Sequence, residues 1–429
     1  MSVRVVSVQA PHLHATALVV ALRGGPRYEG PRECGLTHFL EHMVFRGTEQ
    51  LREPRALMAA FERLGEEPLA HTSDDEIVLS ALVAPGRAGE AARLLASVLL
   101  RPAWRDLERE RQLILEERLE LVDEKGACVD VDDLSRRLAF AGHPMSRSVL
   151  GEERDIERTK RADLEHHRRR LVVSGNLVVA LAGPVSAREL ASVRRAFAAV
   201  PAGAPPGETP APLGGGPRFE HARLPGTPQV DVRLAFSGPG EKDERWLALR
   251  LLANVLDGGP TARLPVRLVD AGFAYAASAG LASYEDVSLL EVDVAVSRAR
   301  FRAAFERALA VLASLRRGIE ESEVARARER LLRRIDFARD DARGLAEWHA
   351  RRALLGLSLD RDAVRAAIER LRARDVLAAA RDVLTRERLA TVLVGDLPRA
   401  EVRRAEARAA CFGPVSTRRP RPTAARAMQ

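Results

Sequence analysis

The sequence predicts an α+β protein with two homologous, duplicated domains, each built from a mostly antiparallel sheet packed with helices. Two observations support this class. The chain has 429 residues, which is too long for one ordinary domain. Each half also begins and ends with a short β-like apolar run and carries long helical patterns between these runs. A duplicated unit of roughly 200 residues is the simplest explanation of this shared order.

The β-like runs and the main helices can be placed along the chain. The predicted strands are residues 15–22, 176–183, 229–236, 288–296 and 389–395. The run at residues 229–236, Q-V-D-V-R-L-A-F, alternates strictly between polar and apolar side chains, which is typical of a half-buried strand. Apolar residues at helical spacing predict amphipathic helices over residues 303–315 and 322–338.

A Pro/Gly-rich stretch without periodicity divides the chain near its middle and predicts a linker over residues 206–218. The domains are therefore expected at residues 1–205, which carry the candidate metal site described below, and at residues 219–414. The residues from 415 to 429 are basic and contain proline, so we expect a disordered tail there.

Charge and composition disfavour several functions. Lysine and arginine number 68 against 60 acidic residues, which gives a net charge of +8. The arginines, however, are interleaved with acids along helices, as on solvated helix faces. No zinc-knuckle, aromatic stacking or Gly-Lys motif accompanies them, so we expect no nucleic-acid partner.

Cysteine usage and the hydropathy pattern bear on location. Cys34, Cys128 and Cys411 are odd in number and widely separated, so they form neither a disulfide framework nor a thiolate metal site. The N-terminal residues lack the apolar core of a signal peptide, and no window approaches the ~18 consecutive apolar residues of a membrane span. We therefore expect a cytoplasmic protein that does not bind membranes.

The stretch G-L-T-H-F-L-E-H-M-V-F-R-G-T, residues 35–48, has the pattern of a buried apolar helix but carries His38, Glu41 and His42. Positions i, i+3 and i+4 of a helix share one face, so these three side chains project together. Two imidazoles one turn apart are suitable zinc ligands, and Glu41 is then placed to act as a general base on a metal-bound water. The alternative is a polar seam between helices without a metal.

A catalytic zinc site needs a third protein ligand. A helical segment with a partly apolar side supplies carboxylates at Glu108, Glu110, Glu116, Glu117 and Glu120. Glu110 and Glu117 are seven residues apart and lie on one stripe of that helix, two turns from each other. From the residues alone, the choice among these acids stays open.

The two segments together resemble a known family. H-F-L-E-H-M-V-F-R-G-T followed by E-R-E-R-Q-L-I-L-E-E-R is similar to the inverted-zinc-motif peptidases of the pitrilysin/insulinase family, M16, which includes the mitochondrial processing peptidases. Further similarity lies in residues 61–76, 141–156 and 251–275. The resemblance implies that one Zn²⁺ per chain is held by three ligands: His38, His42 and Glu117. It also implies that Glu41 is the catalytic base and that Glu110 supports the site.

The resemblance also implies how a substrate binds. Family members hold an unfolded peptide as an added strand beside the metal, and the matching edge here lies around Ala70. Leu69 stands where relatives commonly have asparagine, a departure that removes one polar contact. The neighbouring His71 lies in the wrong element for a metal ligand, so we expect it to face solvent or substrate.

In the second half, active relatives present an arginine and a tyrosine, usually seven residues apart, that grip the substrate and the developing oxyanion. Tyr275 matches the tyrosine, whereas Arg267 lies eight residues before it and Arg263 twelve, both out of register. Tyr275 could donate to an oxyanion, or it could be a half-buried tyrosine of a sheet.

The resemblance implies a zinc-dependent endopeptidase or oligopeptidase that hydrolyses unfolded peptides or precursor segments. The length of the chain is similar to that of the short branch of the family, in which two chains enclose a chamber. A homodimer or a heterodimer with a second chain of the same family is therefore expected. The alternative is a non-catalytic or partner-dependent structural subunit.

Overall fold

The computed structural model describes residues 2–413, which form two five-stranded sheets. The strands of the first sheet are β1 (Arg4–Gln9), β2 (Thr16–Arg23), β3 (Leu69–Thr72), β4 (Glu76–Val83) and β5 (Leu177–Gly183). The strands of the second sheet are β6 (Arg218–Ala222), β7 (Gln229–Pro239), β8 (Ala276–Ser283), β9 (Val287–Ser297) and β10 (Leu389–Gly395). The predicted tail, residues 415–429, lies outside the described residues.

The two sheets have the same topology. The spatial order is β1-β5-β2-β4-β3 in the first sheet and β6-β10-β7-β9-β8 in the second, so each strand of one half has a counterpart in the other. The outer pairs β1–β5 and β6–β10 are parallel, and the other pairs in both sheets are antiparallel. The predicted class, a duplicated α+β protein with mostly antiparallel sheets, is confirmed.

Helices fill the connections between the strands. Those of the first half are α1 (Leu36–Val44), α2 (Pro54–Glu62), α3 (Ala88–Leu100), α4 (Leu107–Leu119), α5 (Val131–Ala139), α6 (Glu153–Arg158), α7 (Arg161–Leu171) and α8 (Ala187–Ala196). Those of the second half are α9 (Trp246–Asp257), α10 (Phe301–Arg317), α11 (Glu321–Phe337), α12 (Ala342–Leu354), α13 (Arg361–Arg370), α14 (Ala373–Val383) and α15 (Arg399–Ala410). None of the helices in the described part of the chain combines the length and the apolar character that a bilayer crossing requires.

The central strand β2 is apolar throughout because both of its faces are covered. Leu18, Val20 and Leu22 point into the core formed with helices of the first half. The alternate residues Ala17 and Val19, with Ala21, pack against a different helix, α12. Burial on both faces explains why the sequence shows a continuous apolar run here rather than an alternation.

One helix of each half packs on the sheet of the other half. Helix α12 of the second half lies across β2 and β5 of the first sheet, where Ala346 and Ala350 allow a close approach. In return, α5 of the first half packs on β10 and β7, with Leu134 against Val392 and Val394. The predicted linker, residues 206–218, lies between the two sheets except for Arg218, which is already the first residue of β6. The two exchanged helices, α5 and α12, pack across this division.

A buried polar network ties the turn between β3 and β4 to the second half. The Tyr284 hydroxyl donates to Asp74 Oδ2 at 2.7 Å, and Arg136 Nε of α5 lies 3.3 Å from Asp74 Oδ1. Arg351 of α12 forms a bidentate pair with Asp75, at 2.9 and 3.0 Å. The turn that carries strand β3 is therefore anchored on residues distant in sequence.

The same turn needs a glycine beside it, and this generates a stability prediction. Gly25 has φ +84°, and a Cβ placed there would lie 2.0 Å from the carbonyl oxygen of Ser73. We expect Gly25→Ala to lower the free energy of unfolding by more than ~2 kcal/mol, because backbone must move as well as adopt a strained φ. Chemical denaturation measures this change.

The control variant is Gly86→Ala. Gly86 has φ +87° but no atom within 4 Å of an added Cβ, so it isolates the cost of the backbone conformation, about 1 kcal/mol. Equal losses in the two variants would contradict the close approach at Gly25.

Candidate metal centre

The helix α1 presents a polar face because its other face is buried in the first core. Leu36, Phe39, Leu40 and Met43 pack into that core. The helix begins after Gly35, which has φ +83° and whose added Cβ would lie 2.5 Å from the Cα of Gly151. The close approach leaves no room for a side chain at the start of α1, and the helix packs against α4.

Helix α4 is held against α1 by a few buried groups on an otherwise charged surface. Ile114 is fully buried in the first core. The Arg111 guanidinium lies 5.5 Å from the ring centroid of Phe39 of α1, and Glu108 of α4 orients it by accepting a hydrogen bond from its Nε at 3.0 Å. These contacts place the carboxylate stripe of α4 opposite the imidazoles of α1.

His38, His42 and Glu117 meet at one point, and we refer to them as the metal cluster. The His38 Nε2 lies 3.7 Å from Glu117 Oε2, and the His42 Nε2 lies 3.6 Å from Glu117 Oε1. One ligand atom from each residue can be chosen so that all lie within 4.8 Å of one another. Zinc with ligands at ~2.0–2.1 Å in a tetrahedron separates them by about 3.4 Å, so a small closure would accommodate the ion.

The electrostatics of the metal cluster also fit a divalent cation. Burial and the adjacent His42 lower the pKa of His38 to about 3, so its imidazole stays neutral, the form that binds metals. Burial would lower the pKa of His42 as well, but the hydrogen bond to Glu110 and the charge of Glu117 outweigh this and raise it. Burial raises the pKa of Glu117, with repulsion from Glu41 adding to that rise. A dication would neutralise this crowding of carboxylates.

Glu110 supports His42 from behind. Its side chain is buried, with the residue 4% exposed, and its Oε2 lies 3.2 Å from His42 Nδ1, the nitrogen that faces away from Glu117. Its other oxygen lies 3.1 Å from Arg46 Nε, and Arg46 also donates to Asp106 at 2.9 Å. The sequence did not single out Arg46, although its position one turn after His42 was a usable signal.

Glu41 lies between the metal cluster and strand β3. Its Oε2 accepts a hydrogen bond of 2.7 Å from the hydroxyl of Thr72. Thr72 is a functional candidate that the sequence reasoning missed. The signal was weak, namely a hydroxyl residue two positions after Ala70 and hence on the same face of the strand.

Strand β3 is an edge strand beside α1, as expected for a peptide-binding edge. It pairs only with β4 in the first sheet, so one side of its backbone is free of strand partners within the described residues. Ala70 packs against the first core, whereas Leu69 is 46% exposed. His71 lies away from the metal cluster and lines a cavity of about 280 Å³ together with Glu347.

The arginine and the tyrosine that were predicted to grip a substrate, Arg267 and Tyr275, are both exposed residues of the second half. Arg267 is exposed in the helical turn Pro265–Val269, and Tyr275 is 56% exposed just before β8. Neither side chain has a hydrogen bond or an ion pair with the metal cluster among the described residues. Arg263 has a structural role instead, because its guanidinium is held by Glu323 at 2.7 Å. The roles of Arg267 and Tyr275 stay predictions.

Comparison with known sequences identifies the class and then the family. The duplicated fold with a His–His–Glu cluster is that of a metallopeptidase-like protein. Residues 4–153 match the family model described as "Insulinase (Peptidase family M16)", and residues 159–331 match "Peptidase M16 inactive domain". An uncharacterized zinc protease of Mycobacterium leprae is 30% identical over 329 residues, covering 75% of this chain and 73% of that relative. The chain belongs to peptidase family M16.

A further relative agrees with this family, and a solved structure has the same fold. A protein of Schizosaccharomyces pombe, named "probable mitochondrial-processing peptidase subunit beta", is 29% identical over 253 residues. That match covers 57% of this chain and 55% of the relative, little more than half of its length. A protease from Helicobacter pylori has the same fold, with a TM-score of 0.83, 20% identity and coverage of 92% of this chain and 97% of that one.

The contact between Glu110 and His42 generates a prediction on metal affinity. We expect Glu110→Gln to weaken zinc binding about tenfold to a hundredfold, because the amide orients and polarises the imidazole less than a carboxylate does. Titration of the metal-free chain with zinc against a competing chelator measures the change. Glu116→Gln is the matched control, since Glu116 is exposed on the same helix. Equal affinities for the two variants would show that Glu110 does not support the site.

Proposed function

We propose that this chain is a zinc-dependent endopeptidase or oligopeptidase that hydrolyses unfolded peptides or precursor segments. The observation that carries the proposal is the position of Glu41. Glu41 lies between the metal cluster and the free edge of β3, and it accepts a hydrogen bond from Thr72 of that strand. Relatives that are named zinc proteases support the same class.

The residues of the site have separate roles in metal binding, proton transfer and the orientation of the base. His38, His42 and Glu117 would hold one zinc ion, which supplies Lewis acidity toward the scissile carbonyl and toward water. Glu41 takes a proton from the attacking water and delivers it to the leaving amine. Thr72 donates to one oxygen of Glu41, which leaves the other oxygen to accept that proton.

The substrate binds as an added strand along β3. Main-chain hydrogen bonds to an edge strand require an extended, unfolded segment and depend little on its side chains. Ala70 has a small side chain that packs against the first core, and the exposed Leu69 offers an apolar contact instead of a polar one. Tyr275 and Arg267 are proposed to grip the substrate from the second half, where both are exposed.

The second candidate is a partner-dependent or non-catalytic subunit of a dimer. The observation that favours it is the second half, which matches a model described as an inactive domain and keeps Arg267 and Tyr275 out of the family's register. The S. pombe relative is itself named as a subunit. We propose a homodimer or a heterodimer with a second M16-like chain in the cytoplasm, without nucleic-acid or membrane partners.

The base assignment is tested by Glu41→Gln. We expect this variant to keep its zinc content and to lose peptide hydrolysis by at least about a hundredfold, because an amide cannot take up the proton. Cleavage of a quenched-fluorescence peptide library and metal analysis of the same sample give the two readouts. Thr72→Val is expected to cause a smaller loss, since it removes only the orienting hydrogen bond.

The control is Glu49→Gln, an exposed acid just beyond α1 that loses the same charge. Undiminished peptide hydrolysis by the Glu41→Gln variant would refute the assignment of Glu41 as the catalytic base. Assays of the chain alone and with a co-encoded relative separate the two candidates. Hydrolysis that appears only in the mixture supports the partner-dependent form.

A further inference from the structure

A second cavity, of about 490 Å³, lies in the second half, apart from the metal cluster. Its walls come from the edge strand β8 and from helices α9, α11, α12 and α13. Arg250, Arg334, Arg361 and Trp348 are among its lining residues, and we call this set the arginine pocket.

The guanidinium groups of the arginine pocket have no carboxylate partners among the described residues. Arg250 lies 5.3 Å from the ring centroid of Trp246, and Arg361 donates to a backbone carbonyl at 2.9 Å and lies over Trp348 at 5.4 Å. Arg334 is an exposed residue at the mouth of the cavity, and its side chain has no hydrogen bond or ion pair within the described chain. This contrasts with Arg351 of α12, which contacts three carboxylates.

The pocket therefore carries an excess of positive charge, since its lining holds three arginines and one acid. Burial lowers the pKa of Arg250; Glu241 opposes the shift, while the charges of Arg334 and Arg352 add to it. Asp257 is the one acid among the described lining residues, and its Oδ2 already accepts the backbone N–H of Ala279 at 3.1 Å. Grouping like charges in a half-buried cavity costs free energy, and a bound anion would offset it.

The surroundings of the pocket point to a peptide as the source of the anion. Its wall includes Ala279, Gly280 and Leu281 of β8. This strand is at the edge of the second sheet, in the position that corresponds to β3 in the first sheet. An added Cβ on Gly280 would have no atom within 4 Å, so space remains beside this edge. The pocket also shares Trp348 with the cavity that His71 of β3 lines.

We propose that the arginine pocket binds a carboxylate of an extended peptide, either an acidic side chain or the C-terminal carboxylate. Arginine forks bind carboxylates in a bidentate way, and Trp348 adds a flat apolar wall beside them. The inference rests on the proposed function in that it assigns a preferred class of substrate, acidic peptides, to the same chain.

Binding is measured in the zinc-loaded Glu41→Gln chain, so that turnover does not consume the probe. The probes are a fluorescent extended peptide with one internal Asp and its Asn counterpart, each with a free or an amidated C-terminus. We expect one of the two carboxylates to strengthen binding about tenfold by fluorescence anisotropy. The pair that shows this preference identifies the source of the anion.

Arg334→Gln and Arg250→Gln, each added to that chain, are expected to reduce the preference to less than about twofold. Arg333→Gln is the matched control, because Arg333 is the preceding residue of α11 with a side chain 71% exposed. Thermal melting checks folding. If Arg250→Gln fails to fold because it loses its contact with Trp246, Arg334→Gln decides alone.

Equal binding of acidic and neutral peptides, or a preference that survives Arg334→Gln, would overturn the proposal. So would inorganic phosphate that occupies the pocket but does not compete with the acidic peptide. Failure of the proposed function is a separate result, namely absence of hydrolysis by the wild-type chain while the arginine-dependent preference persists. If hydrolysis requires Glu41 but binding shows no carboxylate preference, the proposal for the arginine pocket fails and the proposed function stands.

Discussion

The docking of α4 on α1 is the constraint on which the candidate site depends. It brings Glu110 and Glu117 next to His42 and places them near Glu41, so three carboxylates share a partly desolvated seam with one guanidinium, that of Arg46. Such an excess of negative charge opposes folding unless a cation compensates it. The apolar residues under α1 and the buried Ile114 of α4 supply the packing that holds this seam together.

The duplication has retained the strand order and changed the chemistry. Both halves end their sheet in an edge strand beside helices, β3 in one and β8 in the other. Acids and imidazoles lie beside the first edge, whereas the cavity beside the second is lined by arginines that have no ion pairs among the described residues. Two copies of one scaffold thus offer complementary charges along surfaces that can take an extended chain, which is how a repeated fold acquires distinct sites without a new topology.

Much of this arrangement could be predicted from the sequence because it depends on periodicity. The spacing of His38, Glu41 and His42 places them on one helix face, and the structure has them there. The residues alone could not decide which of Glu110 and Glu117 is the metal ligand, since both lie on one stripe of α4. In the structure Glu110 faces Nδ1 of His42 and Glu117 faces its Nε2, and this depends on how the helices cross. Thr72 was missed for the same reason. The helix patterns also could not show that α5 and α12 cover the opposite sheets, because an apolar stripe does not identify its partner.

The exchanged helices have a consequence for the covalent chain between the halves. Residues 201–217 contain neither helix nor strand, and four of the five residues 204–208 are exposed, so this part of the segment is accessible to a protease. After a single cleavage there, α12 would still be packed on the first sheet and α5 on the second. The two fragments would therefore still migrate as one particle under native conditions. The connection therefore serves to raise the local concentration of the halves during assembly, and the interlocked layers keep them together afterwards.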